Sequence, residues 1–481
     1  MRLAVAVSLA FSGLAAAAPP EAAALLQKHL HELIDAAEPS IACVLVSKSD
    51  HYADFGQGPS AARDGRLGEF RPLLLTRGNP ARRELVKRLD LSLPETVPDK
   101  YGSGVVIEEE NGLVLTTFHV IEGATKIYVR LPGAGRGSYA DIQAGDPRAD
   151  LAVLRMIRPP VDLKAIPIGD GGKVRKGDWI VSLANPFAAG FRDGSPSAAW
   201  GIISNLRRRQ PPAVTEEVQR LKPLSQYGTL LQTDVPINLG CSGGAVLDMD
   251  GKLVGLTTAL AAIEGGEAPG GFAVPMDANT RKMIDVLKRG DEIEYGLLGI
   301  TVNPEERGEG RGVTIQDATA GMPAARAGLL SRDVVVEING HPIREQDDLF
   351  LNISAALAGS EVTIKVLRNG RPFEFKPRLV KAPPSSWVPI APNRRKVHGL
   401  RVDYASTQGA GAIPADAVVV KELEPGSPAA RKLREGMFIV AVNDQPVPTP
   451  AKFYELANGK DPVTLDVVEA DGSGRRKVTL P

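Results

Sequence analysis

Residues 231–258, LQTDVPINLGCSGGAVLDMDGKLVGLTT, set a serine among three glycines between two strand-like runs. The centre is Gly240-Cys241-Ser242-Gly243-Gly244. Glycine adopts positive φ without steric penalty, so the backbone can turn tightly here and aim the amides of Gly240 and Ser242 into one small space. A hydroxyl beside two converging amides meets two needs of acyl transfer, a nucleophile and donors awaiting the oxyanion. A Gly-rich hairpin turn would look the same in isolation. The flanking runs are β-branched and apolar, and Asp250-Gly251 marks a tight turn between VLDM and KLVGL.

Working outward, GVVI (104–107), LVLTTFHV (113–120), KIYVRL (126–131), LAVLRM (151–156) and WIVSL (179–183) are short strand-like runs bounded by Gly, Asp, Asn or Pro. Many short strands at such spacing predict a barrel or sandwich. The chain has six histidines, and of these His119 alone falls in the strand-rich segment, at the end of LVLTTFHV. A histidine at a strand end is, taken singly, more often structural. A carboxylate that fixes its tautomer would complete the set. Asp150 precedes the apolar strand LAVLRM, while Asp146 competes from a turn beside Pro147. The chain order His119, Asp150, Ser242 is that of one class of serine protease.

The 481 residues correspond to about three folded units at roughly 150 residues each. Hydrophobic residues at 43% and charged residues at 24% exclude a disordered chain. Plentiful Gly (50) and Pro (38) with 5% aromatics favour turn-rich β structure. Lys plus Arg equals Asp plus Glu at 57 each, so no global field draws the chain to nucleic acid or anionic membrane. Two cysteines give neither a disulfide framework nor a CxxC zinc site, and Cys43 and Cys241 are expected to be unpaired. Residues 1–18 combine one Arg, a short apolar run and an A-x-A end, which predicts a cleaved signal peptide and an exported protein. The run is too short for a membrane span, and nothing later is long and apolar enough for one.

Residues 21–37 carry apolar positions at helical spacing, Ile41 to Val46 reads as a buried strand, and residues 48–100 read as an elaborated insertion with a helix near 82–89. The C-terminal 190 residues contain a repeat. GMPAAR (321–326) recurs as GSPAAR (426–431), and VVVEINGHPI (334–343) as FIVAVNDQPV (438–447). The offset is 105 at the glycine and 104 at Asn339 and Asn443. Two modules of about 90 residues are predicted, joined by the Pro-rich linker KAPPSSWVPIAPNRRK (381–396).

GSGVVI (102–107), VLTTFHVIEGA (114–124), DPRADLAVLRM (146–156), ANPFAAG (184–190), the opening stretch and GFAVPMD (271–277) together resemble the HtrA/Deg family of exported serine proteases. The repeats resemble that family's PDZ modules. The resemblance implies a mainly β chain, a trypsin-like double β-barrel protease domain followed by two α+β PDZ domains. Its implied layout is a signal peptide at 1–18; an N-terminal helix, first strand and insertion loop at 19–101; and a protease core at 102–288. PDZ domain 1 follows at 292–382, a linker at 383–396 and PDZ domain 2 at 397–481. It implies His119 as general base, Asp150 as orienting carboxylate, Ser242 as nucleophile, and the amides of Gly240 and Ser242 as oxyanion hole, with no cofactor and no metal. Leu297, Leu298, Gly299 and Ile300 would form the peptide-binding loop of the first module. Its counterpart from Gly399 to Val402 lacks the second glycine, which points to weak binding or to subunit packing.

The implied function is ATP-independent degradation of unfolded or damaged proteins, in the periplasm or outside the cell. Peptide C-termini would be partners and a trimer-based homo-oligomer the assembly, with no nucleic acid and no integral membrane span. A chaperone or scaffold with little proteolysis, and a narrow signalling protease, are the alternatives. Three features depart from the family pattern: Cys241 stands in place of Asn, Ala245 in place of Pro, and the loop after ANPFAAG is long. Cys241 raises the alternative of a cysteine nucleophile, but Ser242 holds the place before Gly-Gly. Residues near Leu239, with Ala259, Leu260 and Ala261, suggest a small or medium apolar side chain at the cleavage site.

Overall fold

The computed structural model describes residues 21–48, 90–94, 96, 98–133, 135–209, 223–258, 271–303, 312–383, 388–393, 395–408 and 416–481. The expected signal peptide, most of the insertion with its helix at 82–89, and Ala259–Ala261 lie outside the described residues.

Helix α1 (Glu21–Ala37) forms where the apolar periodicity placed it and buries Leu33 and Ala37. Six strands then close a first barrel in the order β1-β2-β3-β6-β5-β4. They are β1 (Ile41–Ser47), β2 (Lys100–Glu108), β3 (Leu113–Thr116), β4 (Lys126–Arg130), β5 (Gly137–Asp146) and β6 (Leu151–Met156). All seven residues of β1 are buried. One face points into the barrel at Ala42, Val44 and Val46; the other meets Leu91 and Tyr128 through Cys43 and Leu45. Burial on both faces explains why IACVLVS reads as a continuous apolar run rather than an alternating one.

A second barrel repeats this connectivity. Its strands are β7 (Trp179–Ala184), β8 (Ser197–Arg208), β9 (Leu230–Thr233), β10 (Ala245–Leu247), β11 (Leu253–Thr258) and β12 (Gly271–Pro275), in the order β7-β8-β9-β12-β11-β10. A shared core of Val105, Leu115, Val181, Leu183 and Leu256 joins the two.

LVLTTFHV is not a strand throughout. It bends after Thr116 into the single-turn helix α2 (Phe118–Ile121). Asp150 causes the bend: its carbonyl accepts the Phe118 amide at 3.2 Å and its Oδ1 accepts the His119 amide at 2.9 Å. These are donors that a helix start leaves open. Helix α3 (Ala278–Lys288) follows the second barrel, capped by Asp277, and packs Met283, Ile284 and Leu287 into the shared core.

The repeat folds as two sheets of like topology. The first module contains β13 (Gly296–Leu297), β14 (Ile300–Val302), β15 (Val313–Ala318), helix α4 (Pro323–Ala327), β16 (Val334–Ile338), β17 (His341–Pro342), helix α5 (Gln346–Ser354), β18 (Ile364–Arg368), β19 (Arg371–Phe375) and β20 (Val380–Lys381). Its sheet order is β14-β15-β16-β18-β19, with β17 on β16. The second contains β21 (Leu400–Tyr404), β22 (Val418–Leu423), β23 (Phe438–Val442), β24 (Gln445–Pro446), helix α6 (Pro450–Ala457), β25 (Val463–Val468) and β26 (Arg475–Leu480). Its order is β21-β22-β23-β25-β26, with β24 on β23. The repeated boxes have a steric reason. A Cβ on Gly299 would lie 2.3 Å from that of Met322, and one on Gly399 lies 2.2 Å from that of Ser427, so each box packs its second residue on a glycine.

The modules meet at a buried charge cluster. Lys381 Nζ lies 3.1 Å from Glu292, 3.4 Å from Glu294 and 3.2 Å from Asp403 of the second module. Burial, opposed by Lys381 and aided by Asp403 and Glu292, pushes the Glu294 carboxyl up to about 7. The assembled junction therefore keeps a proton that a separated Glu294 loses above about 4.3. Its stability is highest on the acid side and declines as pH rises from there to about 7. We expect Glu294→Gln to flatten that decline, so its melting temperature relative to wild type rises between pH 5 and pH 8. Parallel calorimetric profiles of the two proteins would contradict this.

Candidate active site

His119 stands on α2 and Asp150 on the turn before β6, both in the first barrel; Ser242 comes from the loop before β10 in the second. His119 Nδ1 is 2.8 Å from Asp150 Oδ2 and 3.0 Å from Oδ1, and Nε2 is 2.9 Å from Ser242 Oγ. A carboxylate only accepts, so it selects the tautomer with the proton on Nδ1 and leaves Nε2 to accept from the serine hydroxyl. Asp150 has φ of +53°, a sparsely populated conformation for a non-glycine residue. Its contacts to the Phe118 and His119 amides hold it there. The Lys100 ammonium donates to the His119 carbonyl and braces α2 from β2.

The serine loop is fixed largely through its carbonyls. Leu239 accepts from the Phe187 amide at 2.6 Å and Ser242 from the Ser103 amide at 2.7 Å. Gly240 accepts from Ser103 Oγ at 2.7 Å, and Cys241 from the Thr257 hydroxyl. In a trans peptide the next N–H points opposite to the carbonyl. Tying the carbonyls of Leu239 and Cys241 therefore sets the directions of the Gly240 and Ser242 amides. Gly240 (φ +92°) and Gly243 (φ +86°) are required twice over. A Cβ on Gly240 would sit 2.4 Å from the Asn185 carbonyl, and one on Gly243 2.2 Å from that of Ser103.

Cys241 points away from this chemistry. Its side chain is 4% exposed, packs with Ala184 and Ile237, and burial pushes its thiol up. Cys43 lies in a different cluster with its thiol pushed up to about 12, and both cysteines are unpaired, as expected. Among the described residues no cluster of His, Cys, Asp or Glu is suited to a metal ion.

Asp146, the competing carboxylate, faces elsewhere. Its Oδ1 accepts from the Ala149 amide at 2.8 Å and from the Tyr295 hydroxyl at 2.6 Å, with the Arg148 guanidinium 4.2 Å from the Tyr295 ring centre. The first module is thus anchored beneath the turn that presents Asp150. Salt bridges from Arg207 to Asp348 and from Arg209 to Glu345 and Asp347 add to that contact.

Leu297, Leu298, Gly299 and Ile300 lie in the first module, not beside His119, Asp150 and Ser242. Leu298 is buried in the module core with its carbonyl bonded to the Ala324 amide, and Ile300 is half-buried on the edge strand β14. Sequence reasoning missed Ser103, Asn185 and Thr257. All three sit inside quoted motifs, GSGVVI, ANPFAAG and the opening stretch, yet nothing local marks them as supports for the serine loop.

Residues 102–256 match the trypsin-like peptidase domain family, and residues 296–377 the PDZ domain family. The periplasmic serine endoprotease DegP of Escherichia coli strain K12 is 31% identical over 384 residues, 77% of this chain and 75% of that protein. DegP of Salmonella typhimurium strain LT2 aligns with the same identity and coverage. A solved structure of the HtrA-type protease AlgW with decapeptide is 28% identical, covers 74% of this chain and 99% of that one, and has a TM-score of 0.48.

Ser103→Ala removes the donor to the Gly240 carbonyl and the acceptor of the Asn185 amide, which are 2.7 and 2.8 Å from Ser103 Oγ. We expect kcat for peptide hydrolysis to fall about tenfold or more, since a single oxyanion donor accounts for roughly 10²–10³. Unchanged kcat in a folded variant would show that the loop holds its shape without this residue.

Proposed function

The chain belongs to the HtrA/Deg family of serine endopeptidases, and we propose that it hydrolyses unfolded or damaged proteins in the periplasm through a His119–Asp150–Ser242 triad. The observation that carries this reading is the pair of contacts on one imidazole, 2.8 Å to Asp150 and 2.9 Å to Ser242 Oγ. Ser242 Oγ attacks the scissile carbonyl while Nε2 takes its proton. The Gly240 and Ser242 amides receive the oxyanion, and Asp150 stabilises the imidazolium. The intermediate collapses as Nε2 protonates the leaving amine, and water, deprotonated at Nε2, then releases the acyl group. Every proton transfer is supplied in place and the reaction runs downhill in water, so no nucleotide is required.

The first module engages substrate by adding an apolar C-terminal segment alongside β14, with the Leu297–Ile300 turn receiving the terminal carboxylate. The edge position of β14 supports this. A trimer-based assembly accords with two features. Trp179 and Trp200 stack edge to face at 5.5 Å while each is about half exposed, and Leu25 of α1 also faces solvent. Exposed aromatic pairs of this kind are favoured at subunit contacts.

A fluorophosphonate probe should label wild-type protein at Ser242 and leave Ser242→Ala unlabelled. Turnover in that variant should fall about 10⁶-fold, whereas Cys241→Ala should stay within a few-fold of wild type. Retained cleavage by Ser242→Ala would refute the assignment. Casein should yield many cuts; one or two cuts would favour a narrow signalling protease instead.

A further inference from the structure

The two modules share a fold, but their edge strands are not in the same state. β21 is the edge strand of the second module, as β14 is of the first. An edge captures a peptide only if its outward amides and carbonyls are open to a new strand. Outward groups recur every second residue. In β21 these are the amides of Leu400, Val402 and Tyr404, and each already has an acceptor. Leu400 donates to the Val397 carbonyl at 2.9 Å, and Val397 returns the bond at 2.9 Å, so the turn that leads into β21 occupies the place of a ligand's end. Val402 donates to the Tyr454 hydroxyl at 3.2 Å. Tyr404 donates to Asp403 Oδ1 at 2.8 Å, on the carboxylate that Lys381 of the first module also binds.

Tyr454 is the central element. It projects from α6, the helix that forms the other wall of the groove, and its hydroxyl donates in turn to the Arg395 carbonyl at 2.9 Å. One phenol therefore bridges helix, edge strand and linker. At the repeat offset of 104 its counterpart on α5 is Phe350, which lacks the hydroxyl. Among the described residues the amides of Ile300 and Val302, which correspond to Leu400 and Val402, have no comparable acceptor.

We propose that Tyr454 is a built-in occupant of the second module's groove, so that chain termini are captured by the first module alone and the second holds a latent site for the same apolar C-terminal class. This rests on the peptide-capture reading of the first module. It also gives the missing second glycine of Gly399–Val402 a lesser part than the side chain across the groove.

The test uses full-length protein carrying Ser242→Ala, so that the probe survives, titrated calorimetrically with a synthetic decapeptide ending in three valines. The expected stoichiometry is one peptide per chain. Adding Ile300→Asp should weaken that binding at least tenfold, and adding Tyr454→Ala instead should raise the count to two. Independently, hydrogen exchange at the Val402 amide should quicken at least tenfold in Tyr454→Phe. Two peptides on the parent protein, binding that survives Ile300→Asp, or one peptide on a folded Tyr454→Ala would overturn the proposal. So would Val402 exchange that is indifferent to Tyr454→Phe. A parent protein that binds no peptide refutes capture by the first module, and the exchange measurement then decides the cap by itself.

Discussion

Two closed barrels have no strand edge through which one can be hydrogen-bonded to the other. Their shared core is apolar and non-directional, so it brings them together without fixing register. Ser103 supplies the register. From β2 of the first barrel it donates its amide to the Ser242 carbonyl and its hydroxyl to the Gly240 carbonyl, and it accepts the Asn185 amide. One residue thus grips the carbonyls of the two residues that flank Cys241. His119 and Asp150 hang from the same barrel as Ser103, so the separation between imidazole and serine hydroxyl follows from this grip. Asn185 extends it, since its Nδ2 donates to the Ala42 carbonyl on β1 and its Oδ1 accepts the Gly190 amide.

What could be read from the sequence divides along the same line. The glycines of the serine loop were legible because their steric demand is local and survives in the one-dimensional pattern. Helix α1, β1 and the repeat were legible because periodicity and recurrence are local too. His119 was found as a residue but misplaced on a strand, because the force that bends LVLTTFHV comes from Asp150, thirty-one positions on. Asp146 and Asp150 could be ranked but not separated by physics, since what removes Asp146 is a tyrosine 149 residues away. Ser103 and Thr257 were invisible for the same reason: a serine or threonine within a strand shows no sign of the carbonyl it will hold.

The modules repeat that lesson at another scale. Their common fold was visible in the paired GxPAAR boxes, each of which packs on a glycine. Their difference was signalled only by the missing second glycine of Gly399–Val402, and the contact proposed to set it depends on one oxygen atom. Phe350 and Tyr454 occupy equivalent helical positions and both are aromatic. Only in three dimensions does the phenolic oxygen of Tyr454 meet the Val402 amide. A repeat therefore predicts architecture more securely than it predicts that both copies do the same work.

The same reasoning explains why cysteine is acceptable at position 241, where the family pattern has asparagine. The chemistry asks this residue for its peptide group alone. The carbonyl is held by Thr257 and by the Gly244 amide, and the side chain turns into the pocket of Ala184 and Ile237. A small, weakly polar thiol satisfies that pocket without needing a hydrogen bond, and burial keeps it protonated and unreactive. The site thus constrains backbone conformation from Leu239 to Gly244, and with it the glycines at 240 and 243, but makes no comparable demand on the side chain at 241. A substitution beside Ser242 that looks radical in the sequence is conservative in the direction of the following amide.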